Sequence, residues 1–392
     1  MGEKINELIT ALSNGDNAAA ANVGLYFLGM IVMFAIGGTL IYLAIKKDYE
    51  PALLLPIGFG AIITNIPLTN IITGSNGETG IFGFLYQNTI ANELFPILIF
   101  IAVGAMIDFS PLFQTPFMIF FGAAAQFGIF ATMMVALLLG FDLKEAGAIG
   151  VIGAADGPTS IYVANAFKLD KGLIAAITVA AYSYMSLVPI IQPPVIRMLT
   201  TREERRIRMN FSQKKVSKLA KILFPITITI IAGMVAPESV ALIGALMFGN
   251  LIRECGVLNR LSESAQKELA NLVTLLLGIT IGTTMTAASF LNWKTLLIML
   301  MGLVAFIFDT AGGVLFAKLI NLFRKEKINP MIGAAGISAF PMSARVIQKM
   351  AKDEDPMNFI LMQSVAANVS GQLGSVVAGS MILVLVGRLI GL

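Results

Sequence analysis

Long apolar runs alternate with short polar or basic stretches along nearly the whole chain. A bilayer's hydrocarbon core is about 30 Å thick and asks for roughly 20 apolar helical residues. Runs at 23–45, 52–66, 93–107, 116–139 and 173–198 predict five spans, and runs at 222–235, 239–251, 268–286, 294–322 and 357–388 predict five more. Two further segments, 145–167 and 330–350, are equally apolar but interrupted by glycine and proline, so they read as broken, re-entrant hairpins. Residues 69–89, rich in Gly, Asn and Thr, read as an external loop. The pattern predicts an all-α polytopic membrane protein.

Charge orients these elements. Cytoplasmic loops carry the excess of Lys and Arg, which places Lys46-Lys47 and Arg324-Lys325-Glu326-Lys327 inside. The strongest basic stretch, 201–221, holds Arg202, Arg205, Arg206, Arg208, Lys214, Lys215, Lys218 and Lys221. It falls inside only if 145–167 enters and leaves on the same face.

The two halves share local patterns. Ile152-Gly153-Ala154-Ala155 matches Ile332-Gly333-Ala334-Ala335, and Pro158 with Ser160 matches Pro341 with Ser343. Five spans plus a hairpin make an odd number of crossings, so the halves are expected to be inverted copies, the plan of many secondary transporters. The predicted organisation is an external segment 1–21, a first inverted repeat 22–200, a basic cytoplasmic loop 201–221 and a second repeat 222–392.

Composition narrows the chemistry. The chain is 57% hydrophobic and 13% charged, against about one quarter charged in soluble domains. The charge of +4 sits in loops, which suits membrane topology rather than nucleic-acid binding. The polar, acid-bearing start does not read as a cleavable signal peptide. Histidine is absent and Cys255 is the single cysteine, so proton chemistry falls to Asp, Glu, Tyr, Lys or water, and no disulfide forms within the chain.

Within the first broken segment lies Gly153-Ala154-Ala155-Asp156-Gly157-Pro158-Thr159-Ser160. An acid at bilayer depth is a functional-site hypothesis by default; the competing reading is a kinked helix whose Asp156 is only capped. If the two hairpins meet tip to tip, Asp156, Thr159, freed carbonyls and Ser338 supply oxygens for a sodium ion. Asn368 offers an amide oxygen as a ligand or an amide that packs helices. In the same helix Gly371, Gly374, Ser375, Gly379 and Ser380 read as close-packing positions. Arg345 either snorkels to the cytoplasmic surface or holds a carboxylate bidentately. Tyr182 reads as an interfacial aromatic or a phenolic proton donor, with the interface favoured on physical grounds. Asp108, Asp142 and Asp309 lie near predicted span ends and read as solvated.

On its Asp-Gly-Pro segment, on Asn329-Pro330-Met331-Ile332-Gly333-Ala334-Ala335-Gly336, on Pro341-Met342-Ser343-Ala344-Arg345 and on Asn368-Val369-Ser370-Gly371, the chain resembles the β subunit of sodium-translocating, biotin-dependent decarboxylases. The likeness covers essentially the whole chain. It implies sodium and a catalytic role at Asp156, a sodium site that also takes in Asn329, Gly333, Ser338 and Asn368, a proton relay at Tyr182 and a carboxylate grip at Arg345. It also implies biotin carried on a carboxyltransferase/biotin-carrier α subunit, a small membrane γ subunit, a homo-oligomer and a bacterial or archaeal-type cell membrane. The implied activity is decarboxylation of carboxybiotin coupled to sodium export with proton consumption. A sodium-coupled carboxylate transporter or a sodium–proton antiporter shares the repeat plan; the full motif set separates them.

Overall fold

Glycine pairs set how closely the helices approach. In a computed structural model, residues 6, 10, 17–47, 50–67, 71–72, 79–209 and 215–390 are described, and among them every regular element is helical. Four helices are long and apolar enough to cross a membrane unaided: Gly24–Lys47, Pro116–Leu138, Trp293–Asn321 and Leu361–Ile390. Two bent pairs raise this to as many as six by length and composition. Length and composition alone thus mark fewer than ten spans among the described residues, with Pro51–Thr64 as a shorter apolar helix beside them. Large apolar side chains including Leu138, Met198, Met234 and Leu389 are exposed, as lipid-facing positions of a multi-pass membrane protein are.

One compact unit comprises residues 1–94, 170–176 and 273–297. In it α1 (Asn17–Lys47) turns back into α2 (Pro51–Thr64), and a Cβ on Gly37 or Gly58 would stand 2.6 Å from the other's carbonyl oxygen. Such approach is what small residues provide between membrane helices. Asn65 closes this unit: its amide donates to Ala61 and Met285 at 2.8 and 2.7 Å and accepts from the Ala287 N–H at 2.8 Å. Part of the expected external loop is helical instead. Ile81–Leu85 forms α3 and runs on as a π turn, Tyr86–Ile90, where Thr89 and Asn88 bond back to the carbonyls four residues before. Residues 69–70 and 73–78 of that loop lie outside the described residues.

The other unit comprises residues 95–169, 177–272 and 298–392. Its helices are α4 (Leu94–Met106), α5 (Ile119–Ala125), α6 (Phe127–Leu138), α7 (Leu143–Val151), α8 (Gly157–Ala166), the second part of α9 (Lys171–Ser186) and α10 (Val188–Leu199). They continue as α11 (Lys218–Val235), α12 (Val240–Cys255), most of α13 (Trp293–Asn321), α14 (Met342–Glu354) and α15 (Leu361–Ile390). Helix Ala270–Thr284 falls largely in the first unit. Asp142 caps α7 in a reciprocal box with Glu145, and Asp108 accepts from the Ser110 N–H at 2.9 Å, both near solvent as expected. Asp309 is not: it lies mid-helix in α13 and is fully buried.

The described part of the basic stretch is docked rather than loose. Arg205 and Arg202 meet Glu354 at 2.8 and 3.2 Å, and Arg208 meets Asp355 at 2.7 Å. The Arg205 hydrogen bond holds the Glu354 carboxyl below the usual range, and Arg208 does the same for Asp355. Residues 210–214, with Lys214, lie outside the described residues.

Candidate ion and carboxylate site

The first broken segment is built from conformations that a helix excludes. After α7, Ile152–Ala154 tightens into a 3-10 turn and Ala155 takes the left-handed conformation, φ 53°, ψ 44°. That conformation costs a non-glycine residue about 1–2 kcal/mol, so the surrounding packing must hold it. Asp156 then extends and caps α8, accepting the Thr159 N–H on Oδ1 at 3.2 Å, with Pro158 in the first turn where its missing N–H is harmless. Asp156 Oδ2 receives the Ser375 hydroxyl at 2.7 Å from α15. The same hydroxyl lies 3.0 Å from the Gln372 carbonyl, and its single proton serves one of them at a time. Asp156 is only 4% exposed.

Tyr182 stands over this turn. It is buried, at 5% exposure, and a Cβ on Gly157 would overlap its ring. The interfacial reading of Tyr182 is therefore corrected: the phenol belongs to the interior beside the Asp-Gly-Pro turn. Gly157 is needed because the ring occupies the space of a side chain.

The second broken segment starts at Asn329, which caps the 3-10 turns of Pro330–Gly336, and passes through extended Ile337 before α14. Two amides of α15 fix it. Asn368 donates to the Ile337 carbonyl at 2.6 Å, and Gln372 donates to the Ser338 carbonyl. The Ser338 hydroxyl donates to Gly371 at 3.0 Å. Gly371 permits this contact, since a Cβ there would overlap the Gly336 carbonyl. The two breaks then meet directly, Ser338 N–H donating to the Ala154 carbonyl at 2.9 Å.

Asp156, Thr159, Ser338 and Asn368 are thus brought together around α15. Thr159 Oγ1 and Asn368 Oδ1 are buried without a hydrogen-bond partner, and Ser338, a donor to Gly371, keeps its lone pairs. One carboxylate with hydroxyl and amide oxygens is the donor set a hard monovalent cation takes. Asn329 and Gly333 serve otherwise in this conformation. The Asn329 amide donates to the carbonyls of Arg205 and Ile207, both at 2.9 Å, and Gly333 packs backbone to backbone on Gly313. Arg345 is exposed on α14.

Sequence reasoning missed Ser375 and Gln372, which were read as packing or not singled out. The signal was there: Asn368, Gln372 and Ser375 recur at i, i+4 and i+7 on one helical face. It also missed Gln192, whose amide donates to the Ala334 carbonyl at 2.8 Å while its oxygen accepts from Ser343 at 2.9 Å.

A family model described as the Na+-transporting oxaloacetate decarboxylase beta subunit matches residues 29–386. The chain belongs to this family. Among curated relatives, the glutaconyl-CoA decarboxylase subunit beta of Acidaminococcus fermentans is 49% identical over 359 residues, covering 92% of this chain and 94% of the relative. The methylmalonyl-CoA decarboxylase subunit beta of Propionigenium modestum is 45% identical over 382 residues, covering 92% and 95%. The oxaloacetate decarboxylase beta chain 2 of Salmonella typhi is 41% identical over 426 residues, covering 94% and 98%. The chain is accordingly a membrane subunit of the Na+-transporting decarboxylase type, and the paired breaks are features of a beta-family protein.

Proposed function

We propose that this beta-family subunit decarboxylates carboxybiotin presented by an α subunit and uses the reaction to export sodium. The observation that carries the reading is the junction of the two breaks beside one buried carboxylate, Asp156. In this scheme sodium is cargo, held by Asp156, Thr159, Ser338 and Asn368. Asn329 and Gly333 act from further out, through the loop 205–207 and through α13. Carboxybiotin loses CO₂ and its ring nitrogen takes one proton, so each turnover consumes a proton. Tyr182, whose ring packs on Gly157, relays that proton near Asp156 in this scheme, and Arg345 grips the carboxylate on the cytoplasmic side. The two halves act as inverted repeats, giving an inward and an outward state around a midplane site. Biotin stays with its carrier, a small γ subunit accompanies the assembly, and the membrane is the cell membrane.

The test is CO₂ release from a carboxylated carrier by the reconstituted complex. Turnover in sodium that ceases in potassium supports the reading. Equal turnover in both salts overturns it, and turnover without sodium movement into or out of sealed vesicles leaves a decarboxylase that is not a pump.

A further inference from the structure

Helix α13 carries a second buried acid that the ion site does not use. Ala305, Asp309 and Gly313 recur every four residues and so share one face. The first break rests on this face through Gly153, where a Cβ would stand 2.9 Å from the Ala305 Cβ. The second rests on it through Gly333, packed against the Gly313 backbone. Asp309 lies between them, one turn, about 6 Å, from each contact. Opposite it is the junction of α5 and α6 at Gln126: a Cβ on Gly128 would overlap an Asp309 carboxyl oxygen, and Gly312 packs on Ala124 and Phe127.

Asp309 is fully buried, and neither of its oxygens has a hydrogen-bond partner of normal geometry. The Gly128 and Ile129 amides face it, but Ile129 N–H is already taken by the Gln126 carbonyl at 3.1 Å. No cation comes from the elements packed on it. Helix α6 contains no ionisable residue, the turn Pro330–Gly336 contains none, and 146–167 offers only Asp156 and the Tyr162 phenol. On α13 itself the charged residues are Lys294 and Lys318, fifteen and nine residues away. A carboxylate with no more than the Gly128 amide beside it costs several kcal/mol in such a place, so it is neutralised by something that enters. A metal ion needs a shell of oxygens, and the close approach of Gly128 occupies one side of the carboxyl. A proton needs no shell.

We propose that Asp309 is a proton-binding site, separate from Asp156, seated on the helix face against which both broken segments rest. The step is simple association, carboxylate plus proton giving carboxylic acid. It rests on no assumption about where sodium binds.

The test is infrared difference spectroscopy of the intact reconstituted complex in an Asp156→Asn background, which removes the other acid buried among the described residues. A carboxylic-acid C=O band should be present, shift in D2O, and be lost in Asp309→Asn. If that variant does not assemble, Asp309→Glu should move the band in frequency without abolishing it. Carbodiimide modification mapped by mass spectrometry should place an adduct on the Asp309 peptide, forming more slowly as pH rises and unaffected by sodium. A band unchanged by both substitutions overturns the proposal. So does an adduct that sodium suppresses at constant pH, which would make the occupant a metal ion.

Discussion

The Ser338 N–H donates to the Ala154 carbonyl at 2.9 Å, tying together segments 184 positions apart in the chain. This bond makes one site out of two breaks. Neither carbonyl nor amide belongs to a helix ladder, so each is available only because its own segment is unwound. Asp156 lies two residues from one partner, and Asn368 and Gln372 hold the residues at and beside the other.

Replacing Asp156 by Asn removes the only charge of the proposed cation site while keeping the shape of the cap. Sodium-dependent decarboxylation should fall to background, and sodium binding measured by isotope uptake into the reconstituted complex should vanish with it. Sodium dependence that survives in this variant moves the ion site elsewhere.

Ser375→Ala should be milder and more informative. A hydrogen bond to a charged group contributes about 1.5–3 kcal/mol, and the lost hydroxyl is both a donor to Asp156 and a possible ligand. Sodium affinity should fall on the order of tenfold with maximal turnover largely kept. An unchanged sodium titration would mean that the 2.7 Å contact has no part in binding.

Gly157→Ala should displace the Tyr182 ring. Overpacking a filled interior costs about 1–3 kcal/mol, seen as a lower melting temperature of the solubilised complex. Trimming the ring with Tyr182→Ala should remove much of that penalty in a double-mutant cycle. Strict additivity would show that the two do not touch in the folded protein.

Asn329→Asp should separate capping from clamping. The aspartate still accepts the Met331 N–H, as Asn329 does at 3.1 Å, but has no N–H for Arg205 and Ile207. Faster hydrogen exchange over 202–209 is expected, with the 3-10 turns intact. Faster exchange in Pro330–Gly336 instead would place the residue's main role at the cap.

The acid side of the same clamp has a definite pH sense. Because Glu354 and Asp355 are held below their ordinary range by Arg205 and Arg208, the docking they supply is complete above the usual carboxylate values, about 4. It is lost only as pH falls through their lower folded values. Exchange over 202–209, corrected for its intrinsic pH dependence, should stay slow from neutral pH to below that range, and added salt should speed it. Loosening that begins near neutrality would contradict the pairing.

Much of the helical plan was legible because lipid imposes a simple code of long apolar runs. The breaks were legible too, since Gly157-Pro158 and Pro341 leave few alternatives. Ala155 was not: alanine is the best helix former, and only tertiary packing places it at φ 53°. Tyr182 was misplaced because a membrane tyrosine favours the interface by default, and the cavity that holds it is made by the absent side chain of Gly157. Asp309 was misread although the hydropathy did not hide it: the predicted span 294–322 and helix α13, Trp293 to Asn321, agree, and both carry Asp309 well inside. The segment 81–90 was read as loop because its Gly, Asn and Thr content hides a helix continued by a π turn.

The two glycine contacts on α13 have a mechanical consequence. Ala305 and Gly313 are eight residues apart, so the anchorages of Gly153 and Gly333 are fixed about 12 Å apart by a continuous rod of helix. A glycine interlock leaves no slack, because Gly333 meets the Gly313 backbone directly and Gly153 meets the Cβ and backbone of Ala305. Sliding one break past the other would therefore mean prising it off the rod, whereas moving both with the rod keeps every contact.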